Sequence, residues 1–509
     1  MVSGDAACEF GILTALDEAA LVDTVRRGRC VSSPEMPLAI PTPVQMMAPS
    51  TWPAASRRER RSTMRCALTL VASLALPVAL SAQSIPVSEF ADRRAAVLVE
   101  LADGLLLVHA RSAPKDMAQP GWIQDASFLY FTGLVNHPGA ILVLDGPRQQ
   151  ARLFVPPPPL SFGVPVEGLV LEPGETSAQA NGFDAVEGWD RLLPYLRDRE
   201  RAGVRRFYVD EARRPEALGV PEGFWPVAGD KTLWQRSLAG AFPEVEIVSA
   251  AGVIRALRWV KSSAEIALLR YNARATAAAL LAGVRAIGPD VSQRTAEAAV
   301  VTGCIEAGAE GPSFWPWLMA GENAQVGRLV RAFYDYHHLN RRMQTGELVR
   351  VDIGCTANAY GGDVGRTVPV SGVFTETQRR VWDLLVAGYR AGLAAMRAGV
   401  TRAEVSQAGR SAIARLARDD AETQALAQRM LDRQSGVVWH LHGVGIESGE
   451  EALERLEAGT VLAFEPMYSE GGHAYYLEDM ILVTETGHEV LSTGLPYTAD
   501  EIEAVMARD

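Results

Sequence analysis

The stretch 349-VRVDIGCTANAYGGDVGRTVPV-370 decides how this chain folds. Two apolar, β-branched runs flank Ala359-Tyr360-Gly361-Gly362, a pattern that predicts a β-hairpin with its turn in those residues. Each run holds an acid that an ordinary strand disfavours: Asp352 after Val349-Arg350-Val351, and Asp363 before Val364. The short Asp side chain competes for backbone hydrogen bonds, so its place on a strand needs a reason. Either acid alone reads as an ordinary turn or strand-end aspartate. Two on paired strands can address one point in space, and they need further polar groups before they mean metal.

Those groups come later. Glu465 sits in VLAFEPMY and Glu478 in YLEDMILV, acids embedded in otherwise apolar strands. Between hairpin and strands lies His440-Leu441-His442-Gly443-Val444-Gly445. A buried carboxylate is costly unless it is paired or bound to a metal. Four of them with one imidazole call for cations, and two divalent ions would neutralise the cluster. This oxygen-rich set suits Mn, Co, Fe, Zn or Mg over softer metals.

Around these residues the chain is that of a soluble α/β protein. With 509 residues it suits two to three domains of about 150–200 residues each. A net charge of −12 with no basic patch argues against nucleic acid or anionic membrane as a partner. Residues 1–63 are Pro-, Ala- and Arg-rich without periodicity and read as an upstream extension with no fold of its own. From Met64 a short charged start, an apolar run and the small-residue end Ser81-Ala82 read as a signal peptide over 64–82. Translation from Met64 and an exported, periplasmic or secreted product are therefore expected, with an uncleaved anchor as the alternative. Only Cys304 and Cys355 lie beyond that segment, too few for a disulfide framework.

Residues 85–250 alternate strand-like runs, at 105–109, 140–144 and 151–155, with helical stretches, and predict an α/β domain. A second domain is expected over 255–509. Ser262-x-x-Glu265, Thr375-x-x-Gln378 and Thr401-x-x-Glu404 have capping-box spacing before helical patterns.

The series Asp352-x-Gly354, Tyr360-x-x-Asp363-x-x-Arg366-Thr367, His442-Gly443-x-Gly445, Phe464-Glu465-Pro466 and Leu477-Glu478-Asp479 resembles the pita-bread metallopeptidases, and within them aminopeptidase P. Ile123-Gln124-Asp125-Ala126-Ser127-Phe128-Leu129-Tyr130-Phe131-Thr132-Gly133 resembles the signature of that family's N-terminal domain, and Arg258-Trp259-Val260-Lys261 its junction. The resemblance spans roughly residues 86–507. It implies an aminopeptidase P-like (creatinase-like) α/β domain followed by a pita-bread α+β catalytic domain. It further implies two divalent ions, Mn foremost and Co, Zn or Fe as alternatives, held by Asp352, Asp363, His442, Glu465 and Glu478. A hydroxide shared by the ions would attack the first peptide bond of a peptide, possible Xaa-Pro substrates included, while Glu465, with His442, handles the proton. A homo-oligomer, dimer or tetramer, is expected by the same analogy.

Three positions depart from the family pattern. Gly449 stands where a substrate-contacting histidine is usual, Tyr476 where an arginine is usual, and Arg328 where another histidine is usual. His337 and His338 could restore the last role after a small insertion; His440 and Tyr476 are the other candidates for substrate contact. Two alternatives stay open: a prolidase-like dipeptidase, and a metal-binding scaffold that has lost catalysis.

Overall fold

In the computed structural model, Leu348–Ile353 pairs antiparallel with Val364–Pro369, as a hairpin requires. The turn starts one residue earlier than expected and is shorter, sharing only Ala359 with the expected one. Tyr360–Gly361 is itself a short strand on Cys355–Ala357, and the reversal lies at Asn358 and Ala359, with left-handed φ of 50° and 60°. Asn visits that region readily because its side chain bonds locally.

The structure describes residues 84–112, 123–161, 163–210, 230–325, 328, 331, 335–416 and 420–507. The extension over 1–63 and the signal segment over 64–82 lie outside them, as does the His337 side chain.

Two sheets organise these residues. The first has six strands in the order Ala185–Gly188, Gln150–Val155, Ile141–Asp145, Leu105–His109, Arg206–Val209, Glu246–Ser249. Its central strands are apolar over 105–108 and 141–144 because both faces are covered: Leu106, Leu142 and Leu144 enter one core, Leu107, Ile141 and Val143 another. The helix Ala126–Thr132 explains part of the sequence signature there. Asp125 caps it, its Oδ1 accepting from Ser127 N at 3.1 Å and Phe128 N at 3.0 Å.

The second sheet runs Trp317–Ala320, Leu348–Ile353, Val364–Pro369, His473–Val483, Val461–Glu470, Val438–Gly443, with His488–Val490 beside His473–Val483. Helices Ser263–Ala286 and Glu376–Ala395 pack on it and bury Leu269, Leu280, Trp382 and Leu385. Both open with the expected reciprocal caps. Ser262 Oγ accepts from Glu265 N at 3.1 Å while Glu265 Oε2 accepts from Ser262 N at 2.9 Å, and Thr375 and Gln378 repeat the device. Thr401 and Glu404 do the same for Arg402–Leu416.

One covalent feature lies outside the sequence reading. Cys304 and Cys355 form a disulfide across 51 residues, joining helix Gln293–Glu306 to the strand that follows Asp352. A loop of that length loses enough unfolded-state entropy to stabilise the fold by about 2–4 kcal/mol. Urea denaturation of Cys304→Ala/Cys355→Ala should show a loss in that range; an unchanged midpoint would mean the bridge constrains nothing.

Candidate metal centre

Strand pairing builds the site. Asp352 lies opposite Gly365, and Gly365 opposite Glu478. Glu478 and Glu465 face each other between the paired positions Phe464–Asp479 and Met467–Tyr476, and Glu465 lies opposite His440. One row across five strands therefore reads Asp352, Gly365, Glu478, Glu465, His440. Neighbours in such a row share a face, and residues two apart along a strand share it too. That places His442 and Asp363 on the same face as the row.

The side chains converge. His442 Nε2 lies 3.4 Å from Glu465 Oε1, 3.7 Å from Asp363 Oδ2 and 3.7 Å from Glu478 Oε1. Asp352, Asp363, Glu465 and Glu478 are all buried, none more than 9% exposed. Donor atoms of Asp363, His442 and Glu478 come within 4.8 Å of one another, and so do those of His440, His442 and Glu465. Glu478 Oε1 is buried with no hydrogen-bond partner. A carboxyl oxygen left bare among three other acids fits a cation, and the donor set fits hard or borderline divalent ions.

Electrostatics point the same way. Burial and Glu478 push the Asp363 carboxyl far above its usual range. Burial and Glu465 push Glu478 up to about 7. Burial also raises Asp352, with Arg350 opposing it. Glu465 is the exception: burial works against its charge, but His440 and His442 hold it below the usual carboxylate range. His442 resists burial and is raised well above an ordinary imidazole by Glu465, Glu478 and Asp363.

A pH dependence follows. The unfolded chain releases the Glu478 proton near its usual pKa of 4.5, whereas the folded metal-free protein keeps it to about 7, so stability falls as pH rises between them. His442 adds the same sign, since its contribution is full below its unfolded pKa and is lost as pH rises through the higher folded one. A divalent ion bound to these groups would replace those protons. The melting-temperature gain on adding a divalent ion to chelator-treated protein should therefore grow from pH 5.5 to 8, approximate bounds set by this window. A gain independent of pH would contradict the coupling.

The sequence reading missed Arg350. Its Nη2 donates to Asp352 Oδ2 at 2.8 Å, and its guanidinium stacks 3.9 Å over the Tyr476 ring. Tyr476 Oη in turn donates to Glu478 Oε2. A guanidinium thus stands beside the clustered acids after all, supplied by the Asp352 strand instead of position 476. The signal was present: Arg350 precedes Asp352 by two, the spacing that shares a face.

The substrate candidates fare unequally. Tyr476 is 1% exposed and spent on Glu478, so it lies buried beneath the clustered acids. His338 is not among the converging groups; its side chain is 85% exposed and pairs with Asp335. Arg328 pairs with Glu322 at 2.7 Å. Gly449 is exposed, and a Cβ there would meet nothing within 4 Å. His440 contacts Glu465.

Comparison with known proteins agrees with this geometry. Residues 267–485 match the profile of metallopeptidase family M24, a span that contains every converging acid and His442. The Xaa-Pro aminopeptidase of Escherichia coli K12 is 30% identical over 275 residues, 50% of this chain and 60% of that relative. The Xaa-Pro aminopeptidase of Haemophilus influenzae is 24% identical over 458 residues, 83% of this chain and 98% of the relative. The structure of E. coli aminopeptidase P with the inhibitor Pro-Leu superposes with a TM-score of 0.66 at 24% identity, covering 83% of this chain and 98% of the other. Residues 267–485 thus resemble an M24 metallopeptidase domain, and the chain has the two-domain α/β fold of the aminopeptidase P structures, with the pita-bread part C-terminal.

Proposed function

We propose that this protein is an exported metallo-aminopeptidase that hydrolyses the N-terminal peptide bond, with Xaa-Pro peptides as its substrate class. The observation that carries the reading is the row of buried acids closing on His442 Nε2, whose charge must be neutralised by bound cations or by protons. The names of the relatives support peptides with a second-position proline.

Two divalent ions, when bound, supply a nucleophile at neutral pH and the Lewis acidity that polarises the scissile carbonyl. Asp352, Asp363, His442, Glu465 and Glu478 are the residues that would hold them. Glu465 is the carboxylate that the resemblance assigns to taking the proton of the attacking water and returning it to the leaving amine. Arg350 and Tyr476 keep Asp352 and Glu478 oriented from below. Export draws support from the signal-like segment and from the Cys304–Cys355 bridge, since disulfides persist in oxidising compartments. Among the described residues no helix is long and apolar enough to cross a membrane.

The test is amino-acid release from Ala-Pro-Ala, Ala-Ala-Ala and Ala-Pro by protein loaded with Mn, Co or Zn. Cleavage of Ala-Pro-Ala is expected. Turnover of Ala-Ala-Ala alone would discard the proline, and turnover of Ala-Pro alone would restore the dipeptidase. Two bound ions with no turnover would leave the scaffold. Mass analysis of the protein recovered from its producing cell should give an N-terminus near Gln83; a retained upstream segment would refute cleavage.

A further inference from the structure

We propose that His440 is a sixth ligand of the metal centre, forming with His442 and Glu465 a position that carries two imidazoles. The inference rests on the metallopeptidase reading above.

Strand geometry comes first. His440 and His442 are two apart on Val438–Gly443, so both rings project from the face that bears the acids. His440 also ends the lateral row, directly opposite Glu465. The side chains then meet at one atom. His440 Nδ1 touches Glu465 Oε1, the same oxygen that lies 3.4 Å from His442 Nε2.

Distances suit a shared ion. The two ring centroids are 5.4 Å apart. Imidazoles bound to one ion through metal–nitrogen bonds of about 2.0–2.1 Å, at a tetrahedral angle, have centroids roughly 5 Å apart. One donor atom from each of His440, His442 and Glu465 already lies within 4.8 Å of the others. The His440 side chain is 48% exposed, so its ring can turn toward an ion without disturbing a packed core.

The consequence is metal preference. A centre with a single imidazole among carboxylates suits manganese as well as zinc or cobalt, whereas a second imidazole shifts the balance toward zinc and cobalt. The Asp352 side of the row gains no nitrogen, so the two positions would differ in kind.

A hydrogen bond from His440 to Glu465 alone would also produce the contact, and the experiment separates the two. Full-length protein is stripped with chelator and reloaded with two equivalents of Zn, and X-ray absorption counts imidazole scatterers. The expected count is two imidazoles over two ions in the wild type and one in His440→Gln, whose amide can still donate to Glu465. Titration calorimetry should show His440→Gln weakening zinc at one position at least about tenfold while manganese changes far less. A single imidazole in the wild type, or equal loss for both metals, overturns the proposal. Wild-type cleavage of Ala-Pro-Ala is followed in the same preparation. An active enzyme with one imidazole sinks only the His440 inference; protein that binds neither zinc nor manganese sinks the metallopeptidase reading and this inference with it.

Discussion

Asp363→Asn is expected to abolish peptide cleavage while leaving the metal-free protein at least as stable as the wild type. Asp363 is 7% exposed and lies 3.7 Å from His442 Nε2, with Glu478 as its strongest charged neighbour. An amide there keeps the shape but removes one negative charge from the binding set and turns a donor toward any cation. Losing several kcal/mol of charge stabilisation corresponds to ~10³-fold or more in rate. Elemental analysis should report fewer than two ions per chain. Stability should move the other way, because burial and like charge raise the Asp363 pKa and its ionised form burdens the empty fold. A metal-free variant that melts well below the wild type would mean the acid is structural.

Asp479→Ala should be the most damaging change to the fold itself. Arg366 and Asp479 are both 0% exposed, with Arg366 Nη2 donating to Asp479 Oδ1 at 3.0 Å. Asp479 also accepts from Tyr389 Oη and Ser492 Oγ, each at 2.6 Å. The remaining guanidinium donors reach Pro496 O at 2.7 Å, Gly365 O at 2.7 Å and Glu478 O at 2.6 Å. Two of those carbonyls belong to the row that forms the centre, so the pair fixes the backbone from which Glu478 projects. Removing one partner leaves a buried charge, a loss of about 3–5 kcal/mol. Arg366→Met/Asp479→Leu should cost less than the sum of the single changes, because neither charge is then stranded. Urea denaturation of the three variants decides it; a double variant worse than the sum would refute the account.

Much of this centre was legible in the chain. Asp352, Asp363, Glu465 and Glu478 stand out because carboxylates are expensive inside apolar strands, and His442 because a histidine among glycines has little else to do. The capping boxes were legible because both partners lie within four residues. Sheet register was not, since it depends on which strands meet across a hundred residues, and so the alignment of His440 with the acids stayed hidden. Arg350 escaped for a related reason: an arginine in a strand reads as an exposed edge until the neighbouring strand is known. The turn was drawn too far along the chain because Tyr360-Gly361-Gly362 looks like a better reversal than Asn358-Ala359, and only pairing with Cys355–Ala357 claims Tyr360 and Gly361 for a strand. The disulfide was missed because two cysteines 51 residues apart carry no local signal.

Gly365 lies between the two acids it separates, and a Cβ there would fall 1.9 Å from the Tyr476 ring. The aromatic ring and the absent side chain therefore occupy one volume and are inherited as a unit. Any descendant that enlarges residue 365 must first shrink residue 476, and a smaller residue 476 leaves the Arg350 guanidinium without the face it rests on. Three positions on three strands are locked into a single evolutionary step. In a collection of related sequences they should change together or not at all, and a lineage with alanine at 365 beside tyrosine at 476 should be missing.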